Sequence, residues 1–264
     1  MVCKKIIEIL QQQSPEGYAC QWDNVGLLVG SKEQEIKHIY VSVDATDEVI
    51  AQAIEEKADL LITHHPLIFK GLKKINDENF ISRRVIELIK NDIVYYAMHT
   101  NFDIVGMADL AAERMQLQQA EVLQVTTSTV AGEVLGIGKV GDLSDEMTLE
   151  ACVELTKKAF EVGEVKVYGY EAYKEKMVKR IAICPGSGKS VVEDAIQAGA
   201  EVLITGDIDH HEGIDAAARG MTVIDAGHYG IEKIFVPYIK DYLEKQMPEV
   251  KITAAAEREP FIYL

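Results

Sequence analysis

Short apolar runs alternate with amphipathic stretches along the first half of the chain. Three apolar, β-branched segments predict buried strands: His38–Asp44, Asp59–Thr63 and Asp92–Ala97. Apolar positions spaced three and four apart predict four helices: residues 1–13, residues 45–57 with Asp44 or Thr46 as cap, Glu78–Lys90 and Met107–Met115. Strands and helices that alternate at this spacing predict crossover units and a largely parallel sheet.

The second half of the chain repeats the first. Residues 120–180 are more mixed, with a helix predicted at Leu149–Phe160 and a short strand in "EVKVYGY", and Arg180–Thr205 then has the order strand, Gly-rich turn, helix, strand. In "VIAQAIEEKADLLIT" and "VVEDAIQAGAEVLIT" the same residues recur: Val49, Ala53, Ile54, Ala58, Leu61, Ile62 and Thr63 match Val191, Ala195, Ile196, Ala200, Leu203, Ile204 and Thr205. We therefore predict an α/β fold of two pseudo-repeated α/β lobes with mixed or parallel sheets. The lobes are placed at residues 1–125 and 126–264, in one integrated fold without an inserted domain.

Ionisable residues follow equivalent strands in both halves. "LLITHHP" carries His64 and His65, and its counterpart "LITGDIDHH" carries His210 and His211. The next segments, "MHTNFD" and "AGHYGIE", contain His99 with Asp103 and His228 with Glu232. Packing of a common βαβ shape explains the shared apolar positions, but it does not explain these polar groups. Because ligands bind at the carboxyl edge of open α/β sheets, we expect the strand ends of both lobes to face a shared cleft.

Five of these side chains form a candidate set of metal ligands, namely His64, His65, Asp103, His228 and Glu232. Adjacent side chains on an extended backbone point to opposite sides, so His64 and His65 favour two ions over one. Five ligands suffice for two ions that share a bridging carboxylate and a water, as in many hydrolytic enzymes. Imidazole with carboxylate suits Zn, Fe, Mn or Ni. A single histidine at the end of a strand is usually structural. Ionisable residues at equivalent strand ends of both repeats favour a metal site.

The segments "WDNVGLLVG", "LLITHHPLIF", "HTNFD" and "DAGHYGIE" resemble the NIF-three-like proteins, catalogued as GTP cyclohydrolase I type 2 homologs. The resemblance covers essentially the whole chain. It implies two divalent metal ions per subunit at the five residues above, with Glu232 as the bridge. It also implies a toroidal homohexamer, a trimer of dimers, whose sites face an interior cavity. Some members carry a domain inserted between the halves, for which this chain is too short.

Several further residues have two interpretations. The resemblance favours His211 as a cavity residue for substrate contact or proton transfer, although exposed loop histidines are common. His99 occupies the position in the first repeat that His228 occupies in the second, but it is not a ligand in the family. It has either a functional role, in which it orients a metal ligand or transfers a proton, or only a packing role. For Trp22, Asp23 and Asn24 we expect turn formation and capping.

Composition narrows the functional classes. The 264 residues carry a formal net charge of −16 with a pI near 4.9, which argues against nonspecific nucleic-acid binding. A small anionic or nucleotide substrate stays compatible with this charge, because bound metal reverses the local field. The four cysteines form no C-x-x-C pair, and no apolar run is long enough for a membrane span. We expect a cytoplasmic protein.

Two classes of function follow. In the first, the protein is a metal-dependent hydrolase in which metal-activated water is the nucleophile, and the family's name suggests opening of the purine ring of GTP. In the second, it binds or delivers metal, or binds protein partners, without turnover. The sequence names neither the substrate nor the physiological metal.

Overall fold

The computed structural model describes residues 1–256 and 258–262, and it divides the chain into two compact units. The first unit combines Met1–Phe102 with Phe235–Arg258, and the second consists mainly of Asp103–Ile234. The lobes 1–125 and 126–264 stay a prediction; in the division described here the C-terminal helix and strand belong to the first unit.

Strands and helices alternate through most of the chain. The strands are β1 Gly26–Val29, β2 His38–Ser42, β3 Leu60–Thr63, β4 Val94–Ala97, β5 Gln118–Ser128, β6 Val134–Thr148, β7 Lys166–Tyr168, β8 Met177–Ser187, β9 Val202–Gly206, β10 Thr222–Asp225 and β11 Lys251–Ala254. The α-helices are α1 Cys3–Gln13, α2 Asp47–Glu55, α3 Phe80–Lys90, α4 Thr100–Phe102, α5 Ala108–Arg114, α6 Leu149–Phe160, α7 Tyr170–Tyr173, α8 Val192–Gln197, α9 His210–Ala218, α10 His228–Glu232 and α11 Phe235–Gln246. The elements predicted in the first half of the chain are confirmed, with ends that differ by one to a few residues.

The sheet of the first unit has the order β1-β4-β3-β2-β11. β11, β2, β3 and β4 run parallel, and β1 pairs antiparallel with β4 at the edge. Every residue of β2, β3 and β4 is buried, as expected for parallel strands covered on both faces. Thr46, one of the two predicted caps, begins α2 by accepting a hydrogen bond from Val49 N at 3.1 Å.

The sheet of the second unit is mixed, with the order β5-β6-β8-β9-β10-β7. β8, β9 and β10 run parallel, whereas β5, β6 and β7 join antiparallel. The long strands β5 and β6 lie largely in residues 120–180, where the sequence pattern predicts no regular alternation of strands and helices. Most residues of β5 are exposed, so it lacks the apolar run that marks a buried strand. The fold class is therefore α/β with two mixed sheets, as predicted.

The internal repeat is visible within each unit by itself. Ala53 and Ala195 are both fully buried, as are Leu61 and Leu203 on the strands that follow. The match extends to an acidic residue that precedes each of these strands. Asp59 accepts backbone hydrogen bonds from Lys37 and His38, and Glu201 accepts them from Lys179 and Arg180. The repeat thus preserves both packing and a specific polar contact.

No helix among the described residues is both long and apolar enough to cross a bilayer.

A buried tyrosine fixes the turn that follows β3. The Tyr95 hydroxyl lies 2.6 Å from Thr63 Oγ1 and 3.0 Å from the carbonyl oxygen of His65, and it accepts a hydrogen bond from Leu67 N at 2.7 Å. Burial raises the pKa of this hydroxyl well above its ordinary value, so it stays protonated. One side chain therefore holds the backbone on both sides of Pro66.

Replacement of this hydroxyl tests its contribution to stability. We expect Tyr95→Phe to lower the free energy of unfolding by about 1–3 kcal/mol, because Leu67 N loses its acceptor in a buried place. Urea denaturation followed by circular dichroism measures the change. Tyr40→Phe is the matched control, since the Tyr40 hydroxyl donates to a single side chain, Gln52, at 3.0 Å. Equal losses in the two variants would contradict a special role for Tyr95.

Candidate metal centre

Three imidazoles of the first unit converge at the carboxyl edge of its sheet. β3 ends at Thr63, and the backbone N–H groups of His64 and His65 still donate to the carbonyl groups of Ser42 and Val43. His99 follows β4, the neighbouring parallel strand. One ligand atom from each of the three histidines lies within 4.8 Å of the others.

The two adjacent histidines do not alternate in the way that an extended strand requires. Their ring centroids are 4.8 Å apart, because the strand has ended and His64 and His65 lie in a bend. The expectation that they face opposite sides is therefore wrong for this segment. His64 is fully buried, whereas His65 is partly exposed.

Each of these rings is oriented through its Nδ1 atom. His64 Nδ1 donates to the carbonyl oxygen of Met98 at 2.7 Å, His65 Nδ1 lies 2.8 Å from Asp44 and His99 Nδ1 lies 2.9 Å from Asp23. Such contacts fix the tautomer and the orientation of metal-binding histidines. In His64 and His65 they leave Nε2 as the atom that would coordinate a metal, and in His99 they leave Nε2 directed to the same cluster.

Asp23 is buried yet charged. Burial by itself would raise the pKa of its carboxyl group, but hydrogen bonds from His99 and Thr100 outweigh burial and lower the pKa to about 2. The carboxylate consequently accepts hydrogen bonds from both residues at neutral pH. The sequence pattern predicts only a turn at Asp23, and the contact with His99 is a feature that it does not reveal.

The second unit supplies one imidazole and two carboxylates. α10 places His228 and Glu232 on one face, with His228 Nε2 3.1 Å from a Glu232 carboxylate oxygen, which confirms the predicted helical spacing. Asp103 begins a π-helical turn, and one of its carboxylate oxygens lies within 4.8 Å of one from Glu232. Glu232 is only 3% exposed. Asp207, which follows β9, orients His228 through Nδ1 at 2.8 Å.

The end of β8 leaves room for the carboxylate of Glu232. Gly186 has φ +73°, and a Cβ atom built there would overlap Glu232 Oε1 and lie 3.7 Å from His228 Nε2. Nearby, burial first and then the charges of Asp103 and Glu232 raise the pKa of the Cys184 thiol. The thiol therefore stays protonated, and the donors of this unit are nitrogen and oxygen.

Each donor set fits a divalent transition-metal ion, because neutral imidazoles and carboxylates are ligands that Zn, Fe, Mn and Ni accept. The anchors Asp44 and Asp207 were not predicted as part of the site, although both follow buried strands, the position that identified the histidines. His211 lies exposed in the first turn of α9 and is outside the donor groups described above. Its predicted role in catalysis stays a prediction.

Comparison with known proteins places the chain in a family. The family model Duf34/NIF3 (NGG1p interacting factor 3) matches residues 1–260. A protein of Clostridium perfringens named GTP cyclohydrolase 1 type 2 homolog is 34% identical over 268 residues, covering 100% of both chains. The crystal structure of a Bacillus cereus protein related to NIF3 superposes with a TM-score of 0.92 at 26% identity, covering 100% of this chain and 99% of that one.

A longer relative shows that members of the group differ in length. The alignment with the GTP cyclohydrolase 1 type 2 homolog of Bacillus subtilis spans 370 positions at 26% identity and covers 99% of this chain and 98% of the relative. That relative therefore contains residues that have no counterpart among the 264 residues here. The match of the family model over nearly the whole sequence, together with these similarities, shows that the chain belongs to the Duf34/NIF3 family.

Proposed function

We propose that the protein is a dinuclear-metal-dependent hydrolase, in which His64, His65, Asp103, His228 and Glu232 are the ligands of two divalent ions. One observation carries the proposal. Histidines in both units are oriented through Nδ1 by a backbone carbonyl or a carboxylate, as ligands of a metal are.

The carboxylates of Asp103 and Glu232 support the presence of cations. One oxygen of each lies within 4.8 Å of the other, Glu232 is buried and Asp103 is half-buried, and a cation between them would reduce the repulsion of like charges. We assign Glu232 as the bridging ligand, since it is the more buried of the two and also contacts His228. When bound, divalent ions supply a water that is acidic near neutral pH and a Lewis acid for the electrophile.

His99 is the residue that we assign to proton transfer. Asp23 holds its Nδ1 atom, so Nε2 is the atom that takes up or releases a proton beside His64 and His65. We assign His211 to substrate contact, because its exposed place at the start of α9 suits binding better than proton transfer. The name of the relatives suggests a nucleotide substrate, and hydrolytic opening of the purine ring of GTP is the first reaction to assay.

The proposal extends to the assembly. A homohexamer, built as a trimer of dimers, is the state that the family resemblance implies, and light scattering on purified protein measures the mass directly.

The metal requirement is tested by removal and reloading. We expect two equivalents of Zn or Mn per chain, and turnover of a nucleotide or ester that disappears on chelation and returns on reloading. Glu232→Gln should weaken binding of at least one ion by about tenfold or more and abolish turnover, because it removes a ligand charge. Elemental analysis and hydrolysis assays measure both.

Glu244→Gln serves as the control, since Glu244 pairs with Lys240 on α11 and its side chain is 45% exposed. Turnover by metal-free protein would rule out the hydrolase proposal. Stable binding of two ions without turnover of any substrate would instead favour metal storage or delivery.

The space at Gly186 gives a second test. We expect Gly186→Ala to displace the Glu232 carboxylate and weaken metal binding by at least about tenfold. Gly199→Ala is the matched control, because Gly199 has nearly the same φ, +74°, but no atom within 4 Å of the added Cβ. Both variants should lose about 1–2 kcal/mol of stability from the left-handed backbone. Equal metal affinity in the two variants would contradict the placement of Glu232.

Enzyme kinetics distinguishes the roles of His99 and His211, the two histidines outside the ligand set. We expect His99→Gln to keep its metal content and to lower kcat by about 10²–10⁴-fold with a changed pH profile, because a proton carrier is lost. His211→Gln should raise KM with little change in kcat. If His99→Gln loses metal, His99 is a ligand and not a proton carrier.

A further inference from the structure

Two large aromatic side chains of the first unit are exposed beside the histidine cluster. Trp22 is 60% exposed and Phe69 is 46% exposed, although side chains of this size normally bury their surface. Their ring centroids lie 5.6 Å apart with an interplanar angle of 44°. Both rings also contact the imidazole of His99, at centroid distances of 6.0 Å for Trp22 and 6.4 Å for Phe69.

The turn that carries Trp22 is held in place on both sides. Cys20 N donates to the Thr100 hydroxyl at 2.9 Å, and the buried Asp23 carboxylate accepts hydrogen bonds from Thr100. Asn24 Nδ2 donates to the carbonyl oxygen of Ile68 at 2.5 Å, which ties this turn to the loop that carries Phe69. The exposed indole is therefore preorganised, and ligand binding would not have to order it.

From this arrangement we infer that Trp22 and Phe69 form a stacking platform for a planar heteroaromatic ring. The two rings already contact each other, so a third ring cannot lie between them and must stack on the exposed surface of the indole. There its edge would approach His99, the residue assigned to proton transfer. Participation of the platform in substrate binding rests on the proposed hydrolase function, whereas stacking itself is a binding property.

The loop after Phe69 indicates the charge of the ligand. Lys70, Lys73 and Lys74 follow within five residues, and all three are exposed. The chain as a whole carries a net charge of −16, so this short basic segment departs from its surroundings. A ring that bears an anionic substituent, such as a nucleoside monophosphate, matches an aromatic platform that exposed lysines follow in the sequence.

The only tryptophan of the chain is Trp22, so its fluorescence reports the platform directly. Metal-stripped protein is titrated with guanosine monophosphate, guanosine and ribose 5-phosphate, and affinities are measured in parallel by calorimetry. We expect quenching by both compounds that contain a purine ring, tighter binding of the monophosphate at low salt, and no quenching by ribose 5-phosphate, which has no aromatic ring. Absence of quenching by all three probes would overturn the proposal, and equal affinity for guanosine would overturn the anionic part.

Two variants make the test specific. Trp22→Leu should weaken binding of the monophosphate by about tenfold or more in calorimetry, because the stacking surface is lost. Phe80→Leu is the matched control, since Phe80 is 50% exposed on α3 and packs under Arg84 instead of His99. Equal affinities in the two variants would overturn the platform. So would a Trp22→Leu protein that dissociates from a larger assembly, because a second copy of the chain would then cover the indole.

The test of the stacking platform can fail or succeed independently of the test of the hydrolase. Trp22-dependent binding without metal-dependent turnover would retain the platform and reject the hydrolase. Metal-dependent turnover with an unchanged KM in Trp22→Leu would retain the hydrolase and reject the platform.

Discussion

The hydrogen bond at Nδ1 of each strand-end histidine is the interaction on which the candidate centre depends. A histidine ring at a strand end has several accessible rotamers and two tautomers, and the acceptor at Nδ1 selects one of each. The acceptors differ in kind: Met98 offers a backbone carbonyl to His64, whereas Asp44, Asp23 and Asp207 offer carboxylates to His65, His99 and His228. Both kinds of acceptor fix the orientation of the imidazole, as they do in histidines that bind a metal.

These acceptors are available because of how parallel strands are arranged. Asp44 follows β2, the histidine pair follows β3, and His99 follows β4, so side chains far apart in sequence meet at one edge of the sheet. Asp207 and His228 follow β9 and β10 in the same way in the second unit. Apart from His211 at the start of α9, the crossover helices contribute little to the proposed site directly. Their role is to bring each successive strand back parallel to the last.

Much of this could be predicted from the sequence, for physical reasons that particular residues show. β3 and β9 are short apolar runs that end in polar residues, so both the strands and the candidate ligands were recognisable. β5 and β6 were not, since their strands are only partly buried and carry no continuous apolar signal. Asp23 was recognised as a turn residue and no more, because its partner His99 lies 76 residues away and only the folded chain brings them together. Polar pairs between residues far apart in the chain leave no periodic pattern in the local sequence, so they cannot be predicted from it.

The first unit is discontinuous along the chain, and this has a consequence for biosynthesis. α11 buries Phe235, Ile239 and Leu243, and β11 pairs with β2, so residues beyond 234 complete a core whose other parts precede residue 103. A ribosome delivers those residues only after residues 103–234. The stretch between Phe102 and Phe235 can collapse while translation continues, whereas the unit that carries the paired histidines must wait for α11 and β11. Premature termination near residue 234 would thus leave an open sheet edge beside β2 and send the nascent product toward chaperones or proteases.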